Sequence, residues 1–171
     1  MKSWVWKGML AGTILLPALS GVARADDFGC SNATLKGEYA FSGTSYTPPG
    51  LPQGPPTVFV GTQVIDGHGN FTESLYGGDR LRTVGQTDFL TGVTGTYTVN
   101  PDCTGSSVIN FNITGVPPGT SHGVYKTVLV ISNGGRNFHG VASEYTPPGF
   151  TAPQPTQSNF DAWKVASDRD D

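Results

Sequence analysis

Beyond residue 33 the chain alternates apolar and polar side chains with a period of two, and breaks rich in Gly, Asn, Asp and Pro interrupt the alternation at short intervals. A period of two puts every second side chain on one face of an extended backbone, whereas a helix needs apolar residues three or four apart. The chain must therefore bury itself as a sheet. The first strand presents Leu35, Gly37, Tyr39 and Phe41 on one face and Thr34, Lys36, Glu38, Ala40 and Ser42 on the other. A second strand covers 57–65, and Asp66-Gly-His-Gly-Asn70 turns it into a third over 71–76. The fourth points Phe89, Val93, Tyr97 and Val99 one way and Leu90, Thr94, Thr96 and Thr98 the other. Asn100-Pro-Asp-Cys-Thr-Gly105 closes a hairpin into a fifth over 107–113. The sixth, 123–131, is apolar on both faces, and Ser132-Asn-Gly-Gly135 turns it into a seventh over 137–144. An eighth covers 158–165, ahead of a charged tail.

Eight consecutive strands joined neighbour to neighbour predict an all-β fold with little or no helix. A sheet of that size removes its exposed edges by closing, so the expected architecture is a closed antiparallel up-and-down barrel of about eight strands. Strand parity then sorts the connections. If the first strand runs upward, the short turns after strands two, four and six lie at the bottom, and the long segments 46–56, 77–86, 114–121 and 145–157 gather at the top. Strand eight runs downward beside strand one, as closure requires.

Composition bounds the rest. A length of 171 residues allows one domain, and the 24 Gly and 13 Pro follow no three-residue period and accompany 11% aromatics, which excludes collagen and simple disorder. Lys2 and Lys7, an apolar run from Met9 to Leu19 and Ala23-Arg24-Ala25 read as a secretory signal over 1–25 with an A-x-A site, too short in its apolar part to span a bilayer. The domain is then 26–171. Cleavage removes Lys2, Lys7 and Arg24 and no acid, so ten basic residues become seven against thirteen acidic, a formal charge of −6 that disfavours nucleic acid as a partner. Trp163 remains as the single Trp. The expected location is secreted or periplasmic, in a bacterium. An oxidising compartment makes a Cys30–Cys103 disulfide the expectation, and parity puts both cysteines at the bottom end.

The upper loops repeat a phrase: Tyr46-Thr-Pro-Pro-Gly50-Leu51 and Tyr145-Thr-Pro-Pro-Gly149-Phe150, with Val116-Pro-Pro-Gly119 between them. Two Tyr-Pro-Pro arms carrying Leu51 and Phe150 would rim a cavity mouth, although proline-rich loops also serve simply to end strands. The same end carries Arg80 and Arg82, able to hold an acidic group or to sit as a solvated hairpin tip. The candidate ligand site is therefore Tyr46, Leu51, Arg80, Arg82, Tyr145 and Phe150, for a small apolar or weakly acidic ligand.

Catalytic signatures are missing: G-x-S-x-G, H-E-x-x-H and G-x-x-x-x-G-K do not occur, so no cofactor is expected. No metal is expected either, because topology separates His68, His122 and His139, and Asp66-Gly-His-Gly-Asn70 lacks the Asp spacing and final Glu of a calcium loop. Glu38, Glu73 and Glu144 are the carboxylates available for acid–base work, with nothing in the sequence to pair them.

Cys30-Ser-Asn-Ala-Thr-Leu-Lys-Gly-Glu-Tyr39, Asp66-Gly-His-Gly-Asn70 and Gly95-Thr-Tyr-Thr-Val-Asn-Pro-Asp-Cys-Thr-Gly105 resemble a group of uncharacterised secreted bacterial proteins, in which C-x-x-x-T-L-x-G-x-Y, D-G-x-G-N and G-x-Y-x-V-x-x-D-C-T-G recur in this order. The resemblance spans about residues 30 to 140. It implies a small barrel like those of the calycin and allene-oxide-cyclase-like proteins, and paired cysteines, but no activity. Three function classes follow: a binding module for a small, partly apolar ligand, a surface-interaction barrel with a filled interior, and an isomerase or cyclase of the allene-oxide-cyclase-like kind. An outer-membrane barrel shares the short-turn and long-loop ends, but the chain has no aromatic girdles and closes on Ser167-Asp-Arg-Asp-Asp171, so it is read as not membrane-spanning.

Overall fold

A computed structural model of the chain describes residues 29–46, 56–77, 89–111, 123–147 and 150–166. The proposed signal at 1–25 lies outside them, as do Leu51, Arg80 and Arg82. Eight strands, β1 (Gly37–Tyr46), β2 (Thr57–Ile65), β3 (Asn70–Gly77), β4 (Leu90–Val99), β5 (Thr104–Asn110), β6 (Val124–Ser132), β7 (Asn137–Thr146) and β8 (Gln157–Ala166), follow one another around a closed antiparallel barrel. Closure is made by β1 and β8, which pair from Tyr46 and Gln157 at one end to Glu38 and Ala166 at the other. Up-and-down connectivity therefore holds, and every long connection leaves from the end that carries Tyr46.

Inward positions account for four of the glycines. An eight-stranded barrel has too little interior for a large side chain at every inward site. Four phenylalanines sit directly across a strand boundary from a glycine: Phe41 from Gly61, Phe59 from Gly43, Phe71 from Gly95 and Phe160 from Gly140. Each ring occupies the space where that glycine's Cβ would stand. Outward positions are mixed. Val128 and Val130 of β6 are each 53% exposed while Leu129 and Ile131 point inward, so the strand that reads as apolar on both faces leaves a strip of valine on the surface.

The lower half is filled. Leu35, Tyr39, Ile65, Phe71, Tyr97, Leu129, Ile131 and Phe138 pack there, with Tyr39 edge-on to Phe138 at 5.1 Å between ring centroids. Each fully buried side chain of this size contributes on the order of 1.5–3 kcal/mol. The Tyr39 hydroxyl donates to the Gly135 carbonyl, and burial pushes its pKa up to about 12. A void of about 10 Å³ lies among Leu35, Ile65, Phe71, Tyr97, Leu129 and Phe138.

Three details depart from the expectations. Residues 34–36 do not extend β1; Asn32–Leu35 form a turn of 3₁₀ helix that plugs the bottom with Leu35, 1% exposed. The plug is tied to β4, since the Asn32 side chain accepts from the Val99 N–H at 2.8 Å and its carbonyl accepts from the Tyr97 hydroxyl at 2.9 Å. The fifth strand starts at Thr104 instead of Ser107, because Cys103 adopts φ 64° and turns the chain within four residues. Phe89 does not share the face of Val93. Glu73 pairs with Val93 but Leu75 pairs with Leu90, so one extra residue enters β4 at Thr91-Gly92, where Gly92 has φ +83°. A bulge reverses the inward phase beyond it. Leu90 consequently packs toward the core, while Phe89 is 49% exposed and lies against Tyr76.

The bottom turns behave as read. Asp66 accepts from the backbone N–H groups of His68 (2.6 Å) and Asn70 (2.9 Å) and from the Asn70 side chain (2.8 Å), and the Asn70 bonds chiefly hold its carboxyl down to about 2. Its oxygens serve the turn itself. At the next turn but one, Gly135 has φ +83° and a Cβ there would run into the Thr34 carbonyl oxygen. Gly135→Ala combines a left-handed backbone with an immovable neighbour, so it is expected to cost about 2–4 kcal/mol in urea unfolding. An unchanged midpoint would show that the plug is not pressed against this turn.

Candidate functional site

Above the filled half the barrel is hollow. A cavity of about 490 Å³ runs from the middle of the barrel to the end that carries the long connections. Its wall is largely apolar and strongly aromatic, including Phe41, Phe59, Phe111, Tyr125 and Phe160, with the small side chain of Ala142 on β7. These positions follow from alternation: Phe41 lies two residues above Tyr39 on β1, and Tyr125 and Thr127 precede Leu129 on β6. The volume falls within the usual range of about 300–1,000 Å³ for small-molecule sites.

The sequence-derived candidates divide. Tyr46, Tyr145 and Phe150 all border the cavity, brought together from the ends of β1 and β7 and from the β7–β8 connection. Tyr145 stacks on Tyr125 with centroids 4.4 Å apart, and Tyr125 meets Phe111 edge-on at 5.4 Å. Burial raises both tyrosine pKa values. The connection folds back on β7, where Tyr145 and Gln154 exchange backbone hydrogen bonds of 3.0 and 2.8 Å. Phe150 sits in that return, its N–H bonded to the Pro147 carbonyl at 3.1 Å, and is 59% exposed. Leu51, Arg80 and Arg82 lie outside the described residues.

The polar floor was not singled out from the sequence as a site. Gln63, Glu73, Ser107 and Thr127 are all buried and form a belt between the packed lower half and the cavity. Gln63 Nε2 donates to Glu73 Oε1 at 3.0 Å, and the Ser107 and Thr127 hydroxyls bond each other. Glu73 faces the cavity, and desolvation pushes its carboxyl up to about 8, so it is neutral at pH 7. The signal was present in Phe71-x-Glu73-x-Leu75, which sets an acid on the apolar face of a strand. Glu38 is exposed and Glu144 pairs with Lys126 outside the barrel at 2.8 Å, so the three carboxylates considered together stay apart.

At the opposite end the Cys30 and Cys103 sulfurs are at bonding distance, with Cα atoms 4.9 Å apart. This is the predicted pair, and the Cys30 N–H also bonds the Pro101 carbonyl at 3.2 Å. Among the described residues no helix is long and apolar enough to cross a membrane. No protein-family model matches the chain, and neither does any curated protein or solved structure.

Proposed function

We propose that the barrel is an extracytoplasmic binding module that takes a small, predominantly apolar ligand into its upper half. The observation that carries this reading is the 490 Å³ cavity with an aromatic wall, next to a lower half filled by buried side chains. A barrel stabilised only by its core gains nothing from such a space, since each unfilled volume forfeits contacts. The bonded cysteines support an oxidising compartment and so the signal reading of residues 1–25. The Lys126–Glu144 ion pair and the exposed His139–Asp161 hydrogen bond interrupt the valine-bearing outer face with polar groups, unlike the continuous apolar band that a membrane-spanning barrel turns to lipid.

Trp163 is a poor reporter of occupancy, because it lies on the outer face between Ala40 and Asn137 and is 44% exposed. The test uses N-phenyl-1-naphthylamine, a neutral dye that brightens in apolar surroundings. Wild-type barrel is expected to bind it, and Ala142→Trp, which projects an indole into the cavity, should weaken binding at least tenfold while leaving the circular dichroism unchanged. Equal binding in both proteins would place the dye elsewhere and remove the reading.

A second reading draws on the same floor. A neutral carboxyl in an apolar cavity is a proton donor, so the isomerase or cyclase class would use Glu73 as a general acid. Conversion of an apolar epoxide or polyene by wild type, lost in Glu73→Gln, would favour that class over simple binding.

A further inference from the structure

The cavity has one electrical character. Eight of its lining residues are aromatic, one is an acid, and among the described lining residues there is no Lys, Arg or His. Aromatic faces carry negative potential and attract cations, most strongly where water is excluded. A positive charge entering an apolar space also requires a counter-charge, and Glu73 stands at the floor with Gln63 holding one of its oxygens. An anionic head would find neutral hydroxyls and an amide, among them Ser45, Thr57, Thr127 and Gln154, but no cationic side chain among the described lining residues to offset its charge beside that carboxyl. An uncharged apolar ligand would leave a buried polar pair with nothing to recognise.

We propose that the ligand is an organic cation, an ammonium group on a compact apolar body, whose head rests against Glu73 and whose body is enclosed by the aromatic wall. This rests on the binding reading above and narrows its ligand class. In the empty barrel burial keeps Glu73 protonated, with its carboxyl raised to about 8. Docking a cation favours the carboxylate, so binding below that pH expels one proton. The groups around Glu73 leave it as the titrating partner. Gln63 on β2 and Val93 on β4 flank it, and Phe41, Ile109, Thr127 and Phe160 from β1, β5, β6 and β8 are uncharged. Tyr125 and Tyr145, from β6 and β7, both have raised pKa values and stay neutral through the same range.

The test is calorimetric titration from pH 6 to pH 9 with three probes of similar shape: benzyltrimethylammonium, its neutral carbon isostere neopentylbenzene, and 3-phenylpropanoate. The ammonium charge is permanent, so any pH dependence belongs to the protein. Its affinity is expected to rise about tenfold per pH unit up to about pH 8 and then level off, with close to one proton released per ligand at pH 6. Neopentylbenzene should bind at least tenfold more weakly at pH 9 and show no pH dependence. Glu73→Gln should flatten the ammonium profile and release no proton. If neopentylbenzene or 3-phenylpropanoate binds as tightly as the cation at pH 9, and Ala142→Trp blocks that binding, the cation reading falls while the cavity reading stands. If none of the three binds the folded wild-type barrel, both fall.

Discussion

Replacing Glu73 with Gln is expected to stabilise the barrel by several kcal/mol at pH 9 and to change it little at pH 4, an estimate that follows from a carboxyl raised from 4.5 to about 8. Between those two values the folded chain holds a proton that the unfolded chain has released. Stability is therefore fully present below about pH 4.5 and falls by about 1.4 kcal/mol per pH unit as pH rises toward 8. Above that the native barrel carries a carboxylate among Phe and Leu side chains. Gln at position 73 is neutral throughout, and its amide oxygen can still accept from Gln63 Nε2. Urea unfolding at intervals from pH 4 to pH 9 should give a falling curve for wild type and a nearly flat one for the variant. Parallel curves would mean that Glu73 is solvated, and with it would go the neutral acid at the cavity floor. Asp66 does not confuse the comparison: its carboxyl is held down to about 2, and the stability linked to it is lost only as pH falls through that lower range. A residue that weakens the empty protein at neutral pH is well placed to be repaid by a ligand that needs it.

The second large effect is at the other end. The Cys30–Cys103 bond closes a span of 73 residues, and the chain-entropy estimate for a loop of that length is about 4 kcal/mol. That is a large share of the roughly 5–15 kcal/mol total for a single domain. Cys30→Ser combined with Cys103→Ser should lower the unfolding free energy by about this amount, read as a lower urea midpoint. The loss has a local component as well. Without the bond the 3₁₀ turn is held by its Asn32 contacts to Tyr97 and Val99 and by Leu35, so amide exchange at Thr34 and Lys36 should quicken before that of the strands. A double variant within 1 kcal/mol of wild type would show that the span is already restrained in the unfolded chain. Peptide mapping without reductant checks the bond directly.

Alternation and turn residues were sufficient for the strand order, because each strand's inward face is written in its own local sequence. Parity follows from counting strands, and it puts Cys30 with Cys103 at one end and Tyr46, Tyr145 and Phe150 at the other. One of the three departures, the facing of Phe89, came from a single extra residue. The bulge at Gly92 shifted the phase of β4 and turned Phe89 outward, and no local pattern marks a bulge apart from a glycine among many. The cavity was legible only as a possibility. Whether a barrel of eight strands fills depends on which inward side chains meet, such as Phe71 across from Gly95 on one level and Ala142 facing open space on another, and those partners are remote in sequence. Glu73 illustrates the same division. Sequence alone determined that it shares a face with Phe71 and Leu75; only the closed barrel decided that this face is cut off from water, because desolvation is imposed by all eight strands together and by none of them singly.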